Sequence, residues 1–501
     1  MIYCSTTYVK DLIHESAILL IRILVLLGIL TSFTLFSPLF SPPINPVIDL
    51  TSSFRAYSTE DLSTSTQPGL PHIFDINLRA EIVSQGINFP TSFVFLGPDD
   101  ILVLEKNSGQ VRRIVNGTLL EQPLLKVNVS AVGESGMLGI ETARSNSGST
   151  YVFLYFTESS RDNTSGNSSA LEPPRNRLYR YDWYNNTLSN PRLLVDLPAA
   201  PGPSHNGGRI TIGPDNNVYF TVGDMNSAEL ERFLTRAENI IDGRDPDGRA
   251  GILRVTLDGQ PIQNDSLVVD KYPLNLYYAY GIRNSFGIDF DPLTGNLWDT
   301  ENGPYYGDEI NLVSPGFNSG WNKVQGVWEI EGGSKGSPMS NTQESNMLVK
   351  FNGQGKYSDP EFTWARNVGP TALKFLNSEK YGKRYENDIF VSDFHKGNLY
   401  HFDLTENRTA LELDGILKDK VADNQDEAKS TVFGGGFGGI TDIEVGPDGY
   451  LYILSLHQGG YDCRLRELTA TGQVLPGEPP CILYHSQLQG TIFRVIPENL
   501  S

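Results

Sequence analysis

The sequence predicts an all-β protein, a six-bladed β-propeller behind an N-terminal transmembrane anchor, and three observations predict it. The 501 residues include 49 Gly, 30 Pro, 23 Tyr and 24 Phe, the mixture of turn formers and strand-favouring aromatics that many short strands require. A unit in which a short apolar strand meets a turn, and a second strand leaves it, recurs along the chain. No long amphipathic helical pattern separates the copies, as a parallel α/β fold would demand.

Taken from the N-terminus, Ala17 to Phe36 reads AILLIRILVLLGILTSFTLF, about the length that crosses a bilayer as a helix. Arg22 is its only charge and lies near one end, where its side chain can snorkel. No small-x-small cleavage pattern follows, because the segment runs into Ser37-Pro38-Leu39-Phe40-Ser41-Pro42-Pro43. Residues 1–40 are therefore expected to stay as an anchor, with 17–36 in the membrane; a cleaved segment would leave the protein secreted, and either way the body lies outside the cytoplasm. Residues 41–70, with Pro42, Pro43, Pro46 and Ser63-Thr64-Ser65-Thr66, read as a flexible stalk, and 71–501 as the propeller.

Four copies of the hairpin unit stand out: FVFLGPDDILVLE from Phe93, ITIGPDNNVYFTVGD from Ile210, IDFDPLTGNLWDTENG from Ile288 and IEVGPDGYLYILSL from Ile443. A fifth, from Ala372, has a longer loop between its strands. In the Pro-Asp-Gly turn, Pro presets the second position, Asp bonds the backbone ahead, and Gly or Asn accepts positive φ. Each unit alone leaves a sheet face bare, which radial packing around a channel covers. Residues 325–365 and 457–487 break the rhythm and are expected to be long inter-strand loops.

The net charge of −20, from 39 Lys+Arg against 59 Asp+Glu, repels nucleic acid and anionic lipid headgroups. The acidic excess suits calcium sites as well as a plainly solvated surface. Cys463 and Cys481 share one Pro/Gly-rich stretch and are expected to form a disulfide, while Cys4 precedes the anchor. N-x-S/T sequons begin at Asn116, Asn128, Asn163, Asn167, Asn185, Asn264, Asn407 and Asn499 and mark the chain as a candidate glycoprotein. Gly434, Gly436 and Gly439 satisfy G-x-G-x-x-G, but a strand follows them and no βαβ unit surrounds them, so no dinucleotide site is expected.

Three segments carry chemistry. In Ser204-His205-Asn206-Gly207-Gly208-Arg209, an imidazole sits in a loop opened by two glycines just before a strand, placed to take a proton from a substrate hydroxyl or simply to bond neighbouring backbone. In Tyr280-Gly281-Ile282-Arg283-Asn284, Arg283 offers a planar fork for a carboxylate or quinone oxygen, or for a nearby surface acid. Thr300-Glu301-Asn302-Gly303-Pro304, followed by Gly307-Asp308-Glu309, gathers hard oxygen ligands of the kind calcium takes, or forms a hydrogen-bonded turn with its acids in solvent.

These segments, with Gly133-Glu134-Ser135-Gly136-Met137-Leu138-Gly139, the NRLYRY strand from Asn176, Gly316-Phe317-Asn318-Ser319-Gly320-Trp321-Asn322 and a closing GTIFRVI from Gly490, resemble the glucose/sorbosone dehydrogenase family in order and spacing from about Gly86 to Ile496. The resemblance implies a propeller binding pyrroloquinoline quinone (PQQ) and calcium at one end, where an aldose sugar is oxidised at C1. It implies His205 as general base with Arg283 beside it, Arg283, Asn284, Thr371 and His395 or the adjacent Lys396 at the quinone, and Gly303, Pro304 and Asp308 at calcium. The expected partners are a small sugar and an electron acceptor that the sequence does not identify.

The chain also departs from the family. Where members that hold the quinone tightly carry Arg-x-Arg-Asp, it has Gly439-Ile440-Thr441-Asp442, so PQQ is expected to be held weakly. Ser204 and Glu134 replace a family acid or amide and a Gln. Two other readings remain at this point: a propeller that has lost the quinone and acts as a binding or adhesion module, and a calcium-dependent lactonase-like hydrolase.

Overall fold

A computed structural model describes residues 70–498 apart from 146–147, 160–172, 231–232, 263–270, 339–346 and 457–488, and all of these belong to the unit Ser65–Ser501. The expected anchor and stalk, the Cys463–Cys481 pair and the sequons at Asn163, Asn167, Asn264 and Asn499 lie outside the described residues. Among the described residues no helix is long and apolar enough to cross a membrane, and the α-helix Gln425–Ser430 is short. The sequon asparagines Asn116, Asn128, Asn185 and Asn407 are all exposed.

Six sheets, antiparallel in their inner strands, form the body in a propeller-like arrangement. Their first strands are Pro90–Gly97, Met137–Arg144, Ile210–Ile212, Ser285–Phe290, Pro370–Phe375 and Gly439–Val445. Each of these strands contacts the next, and the sixth contacts the first, so the six close a ring around an axis. We number the blades one to six in that order. The sixth blade closes the circle with strands from both ends of the described chain, since Leu78–Asn88 pairs antiparallel with Gln489–Pro497. Neither end can leave without opening a sheet edge.

All five expected hairpins are present as inner strand pairs. The inner pair of blade two, Met137–Arg144 with Thr150–Glu158, was not legible because its turn lacks the Pro-Asp signature. Two hairpins repeat one device in detail. Asp215 accepts from the Tyr219 hydroxyl at 2.9 Å, and Asp448 accepts from that of Tyr452 at 2.9 Å. Each tyrosine ring lies across the turn's first glycine, so that a Cβ on Gly213 would meet Tyr219 at 2.6 Å and one on Gly446 would meet Tyr452 at 2.4 Å. The glycine of the Gly-Pro-Asp turn is thus required for the close approach of the ring to the turn backbone.

The core lies between blades. Phe153, Tyr155 and Leu178 of blade two meet Phe220, Val222 and Leu253 of blade three, all essentially inaccessible. Trp298 and Ile310 of blade four meet Phe375, Val391 and Tyr400 of blade five. One expectation needs correction: residues 325–365 are more than a loop. A small sheet of Val324–Gln325, Trp328–Glu331 and Ser334–Pro338 forms there. Trp328 organises it, packing edge-on against Tyr306 at 6.1 Å with the Lys335 ammonium 3.4 Å from its ring centroid.

Candidate active site

All six blades line one cavity of about 940 Å³. Its wall includes Lys106 from blade one, Glu134 before blade two, His205 before blade three, Arg283 and Asn284 before blade four, Thr371 and His395 from blade five, and Thr441 from blade six. The cavity therefore sits at one end of the axis, where loops on a rigid ring converge.

His205 is buried, with φ of 60°, and Gly207 and Gly208 follow with φ of 60° and 113°. A left-handed histidine is a sparsely populated conformation, held here by its surroundings. Its backbone N–H donates to Glu134 Oε2 at 2.7 Å, and the Asn284 amide donates to the same oxygen at 3.3 Å. The ring Nδ1 lies 2.6 Å from Asp224 Oδ1. Asp224 is inaccessible and accepts the indole N–H of Trp321 on its other oxygen at 2.9 Å. Burial works to raise the Asp224 carboxyl, but the His205 ring, Arg283 and Trp321 outweigh it and hold the group below its ordinary value. With Nδ1 committed to a carboxylate, Nε2 is the nitrogen left for the cavity.

Arg283 is the hub of the opposite wall. Its guanidinium donates to Glu229 Oε1 at 2.5 Å and to the carbonyls of Asn302 and Gly303 at 3.1 and 3.2 Å. It also lies over the Trp321 ring at 5.4 Å. Its backbone N–H donates to Glu301 at 2.6 Å, which ties the start of blade four's first strand to the end of its second. Asn284 accepts from the Gly207 N–H at 3.2 Å, so the His205 and Arg283 loops brace each other. Gly303 must be glycine, since a Cβ there would fall 2.0 Å from the Tyr306 carbonyl.

The structure brings together His205, Arg283, Asn284, Gly303, Pro304, Thr371 and His395. It separates two other expected residues. Asp308, expected at calcium, does not line the cavity; its carboxylate accepts the backbone N–H groups of Gly303, Val368 and Gly369 at 2.7–2.8 Å. Both oxygens are spent fixing two loops, and burial pushes the carboxyl up to about 6 in spite of those bonds. In this structure Asp308 acts as a buttress beneath Gly303, outside the cavity wall. Lys396, expected near the quinone, is exposed and outside the cavity wall, because its backbone N–H turns in to Asp393 at 2.7 Å.

Four residues of the site were missed. Lys106, Asp224 with Glu229, and Trp321 come from three separate parts of the chain, and Asp224 and Trp321 stand in segments read for their strand pattern and their family resemblance rather than for chemistry. Asp224 lies two residues past the end of the blade's second strand, Asn217–Val222, and the first acid beyond that strand was the available signal.

Residues 87–464 match the family model described as Glucose / Sorbosone dehydrogenase. The chain is 30% identical to Quinoprotein glucose dehydrogenase B of Acinetobacter calcoaceticus over 275 residues, 51% of this chain and 55% of that protein. It is 22% identical to Aldose sugar dehydrogenase YliI of Escherichia coli over 391 residues, 76% of this chain and 91% of that one. The fold is like that of the PQQ-bound aldose sugar dehydrogenase of Streptomyces coelicolor, with a TM-score of 0.53, 21% identity, and coverage of 83% and 98% of the two chains. With more than half of its length matched, the chain belongs to the glucose/sorbosone dehydrogenase family and is an oxidoreductase.

Proposed function

We propose that the protein oxidises an aldose sugar at C1 outside the cytoplasm, anchored by residues 17–36, with PQQ and calcium in the cavity and His205 as general base. The observation that carries this reading is the chain Trp321–Asp224–His205, which ends at an imidazole on the wall of the cavity. The relatives named for quinoprotein and aldose sugar dehydrogenase activity support the substrate class.

The donor set fits the two groups. The carbonyls of Asn302 and Gly303 gather beside Arg283, and Asn367, whose amide donates to Gly303 at 2.9 Å, has a buried side-chain oxygen with no partner. Oxygen donors of this kind suit calcium, and an arginine beside them suits a quinone oxygen. In this reading the carbonyls of Gly303 and Pro304 hold calcium, and Arg283, Asn284, Thr371 and His395 hold the quinone. When bound, the quinone supplies the two-electron acceptor and calcium a Lewis acid.

This chain's residues do the rest. The proton of the anomeric hydroxyl passes to His205 Nε2, and the Asp224 carboxylate stabilises the imidazolium that results. Glu134 holds the His205 backbone and the Asn284 side chain on one oxygen, which fixes the base relative to the opposite wall. Removal of the hydroxyl proton and of hydride from C1 leaves the lactone. The electron acceptor that follows is a separate partner.

The test is titration of the purified protein with PQQ and calcium, followed by absorbance, with sugar-dependent reduction of a dye as the second readout. Saturable binding and aldose-dependent reduction are expected. Absence of both at millimolar quinone and calcium would overturn the reading.

A further inference from the structure

Three lysines and arginines line the cavity, and two are matched by carboxylates. Arg209 pairs with Asp442 and with Glu444, and Arg283 pairs with Glu229. Lys106 is different. Its ammonium donates to the Gly133 carbonyl at 2.8 Å and to Asn107 Oδ1 at 3.2 Å, and lies 5.2 Å from the Phe89 ring centroid. Among the described residues no carboxylate comes within ion-pair distance of it, although Glu134 is near enough to attract it. Lys106 is only 5% exposed, so this charge is neither solvated nor neutralised by the protein.

The position is built. The lysine stem runs over Gly136, where a Cβ would lie 2.6 Å from Lys106 Cγ, so the glycine clears the path by which the ammonium reaches the cavity wall. Burial pushes the ammonium down to about 8, which leaves it charged at neutral pH. A buried ammonium with two of its three N–H groups occupied by neutral oxygens is costly unless an anion meets it. Blade six, beside blade one in the ring, presents Thr441 to the same cavity, one of the two positions where the expected arginines are missing.

We propose that Lys106 is the carboxylate-binding subsite of this cavity, supplying the positive charge that Gly439 and Thr441 do not. This rests on the proposed function, and the carboxylate has two possible carriers: the quinone itself, which is a polycarboxylate, or an acidic sugar such as a uronate. The placement of Lys106 beside blade six favours the quinone.

The experiment compares the full-length wild type with Lys106→Met and Lys106→Arg. Quinone is titrated by absorbance with calcium present, and galacturonate and galactose are compared as ligands by the rise in melting temperature they give. Loss of one charge-assisted contact should weaken quinone binding about 10- to 100-fold in Lys106→Met and less in Lys106→Arg. The ligand-free Lys106→Met protein should melt no lower than wild type, because methionine removes an unpaired buried charge at nearly constant volume.

Weakened quinone binding with unchanged sugar binding assigns the subsite to the quinone. Unchanged quinone binding with loss of protection by galacturonate alone assigns it to an acidic sugar. If neither changes, the subsite is overturned. Wild type that binds neither quinone nor sugar overturns the proposed function, and this inference with it. Should Lys106→Met fold poorly, the expectation that it melts no lower than wild type is refuted directly, and Lys106→Gln carries the binding comparison.

Discussion

His205 Nδ1 and Asp224 Oδ1 are 2.6 Å apart, and this contact decides which face of the imidazole meets the cavity. The carboxylate is itself fixed, by the Trp321 indole on one oxygen and by the Asn226 backbone N–H at 2.9 Å on the other. The orientation of the imidazole therefore depends on a group 19 residues away in sequence and on another 97 residues beyond Asp224.

His205→Ala should lower sugar turnover by about 10²–10⁴-fold, the usual cost of losing a general base, while moving the melting temperature by only a few degrees. Asp224→Asn should lower kcat by a similar factor for a different reason. An amide N–H facing Nδ1 favours the tautomer with its proton on Nε2, where it cannot accept another. Wild-type-like turnover in His205→Ala would place the base elsewhere.

Asp308 should matter for folding before it matters for calcium. Replacing it with Ala strands three buried N–H donors, those of Gly303, Val368 and Gly369. Each orphaned donor costs about 1–3 kcal/mol, so a loss of roughly 3–9 kcal/mol is expected in calcium-free urea unfolding. A calcium-free variant as stable as wild type, with only its calcium affinity reduced, would restore Asp308 as a ligand.

The missing arginines are not equally replaceable. A Cβ on Gly439 would meet the Phe394 ring at 2.8 Å, whereas Thr441 lines the cavity and its hydroxyl makes one long bond, 3.3 Å, to Leu454. Thr441→Arg should tighten quinone binding about ten- to a hundredfold through a charged contact. Gly439→Arg should destabilise by about 1–3 kcal/mol as the ring is displaced. Calorimetric titration and thermal melts of the two variants separate these outcomes, and the opposite ranking would mean that Phe394 moves freely.

Glu238 gives a test in pH. Burial, helped by repulsion from Asp224, pushes its carboxyl up to about 8 from 4.5. The folded chain therefore holds a proton that the unfolded chain releases, and this stabilisation is complete below about 4.5 and lost as pH rises through about 8. The wild-type melting temperature should fall between about pH 5 and 8 by an amount that Glu238→Gln lacks. Parallel pH profiles for the two proteins would show that Glu238 does not titrate in this range. The side chain accepts from the Thr235 N–H at 2.7 Å and from the Ser227 hydroxyl, bonds that the glutamine oxygen can retain in part.

The sequence by itself determined the repeated hairpin and the order of the segments that line the candidate site. Gly213-Pro214-Asp215 and Gly446-Pro447-Asp448 specify the same turn because the constraint is local: a ring, a carboxylate and a glycine within seven residues of chain. His205, Arg283 and Gly303 were likewise legible, each at the mouth of a strand beside turn glycines. Which partners those residues meet was decided only in three dimensions. Strand alternation says which side chains point toward a neighbouring blade or strand, but ring closure decides which distant loops converge on the axis. Thus Asp224 and Trp321 reach His205, Lys106 of blade one faces the same space as Thr441 of blade six, and Asp308, although an acid next to a Gly-Pro turn, is claimed by backbone donors of Val368 and Gly369 sixty residues on. A carboxylate's sequence neighbours do not reveal whether its oxygens remain free, because burial forces the unpaired N–H groups that pack against it to take them.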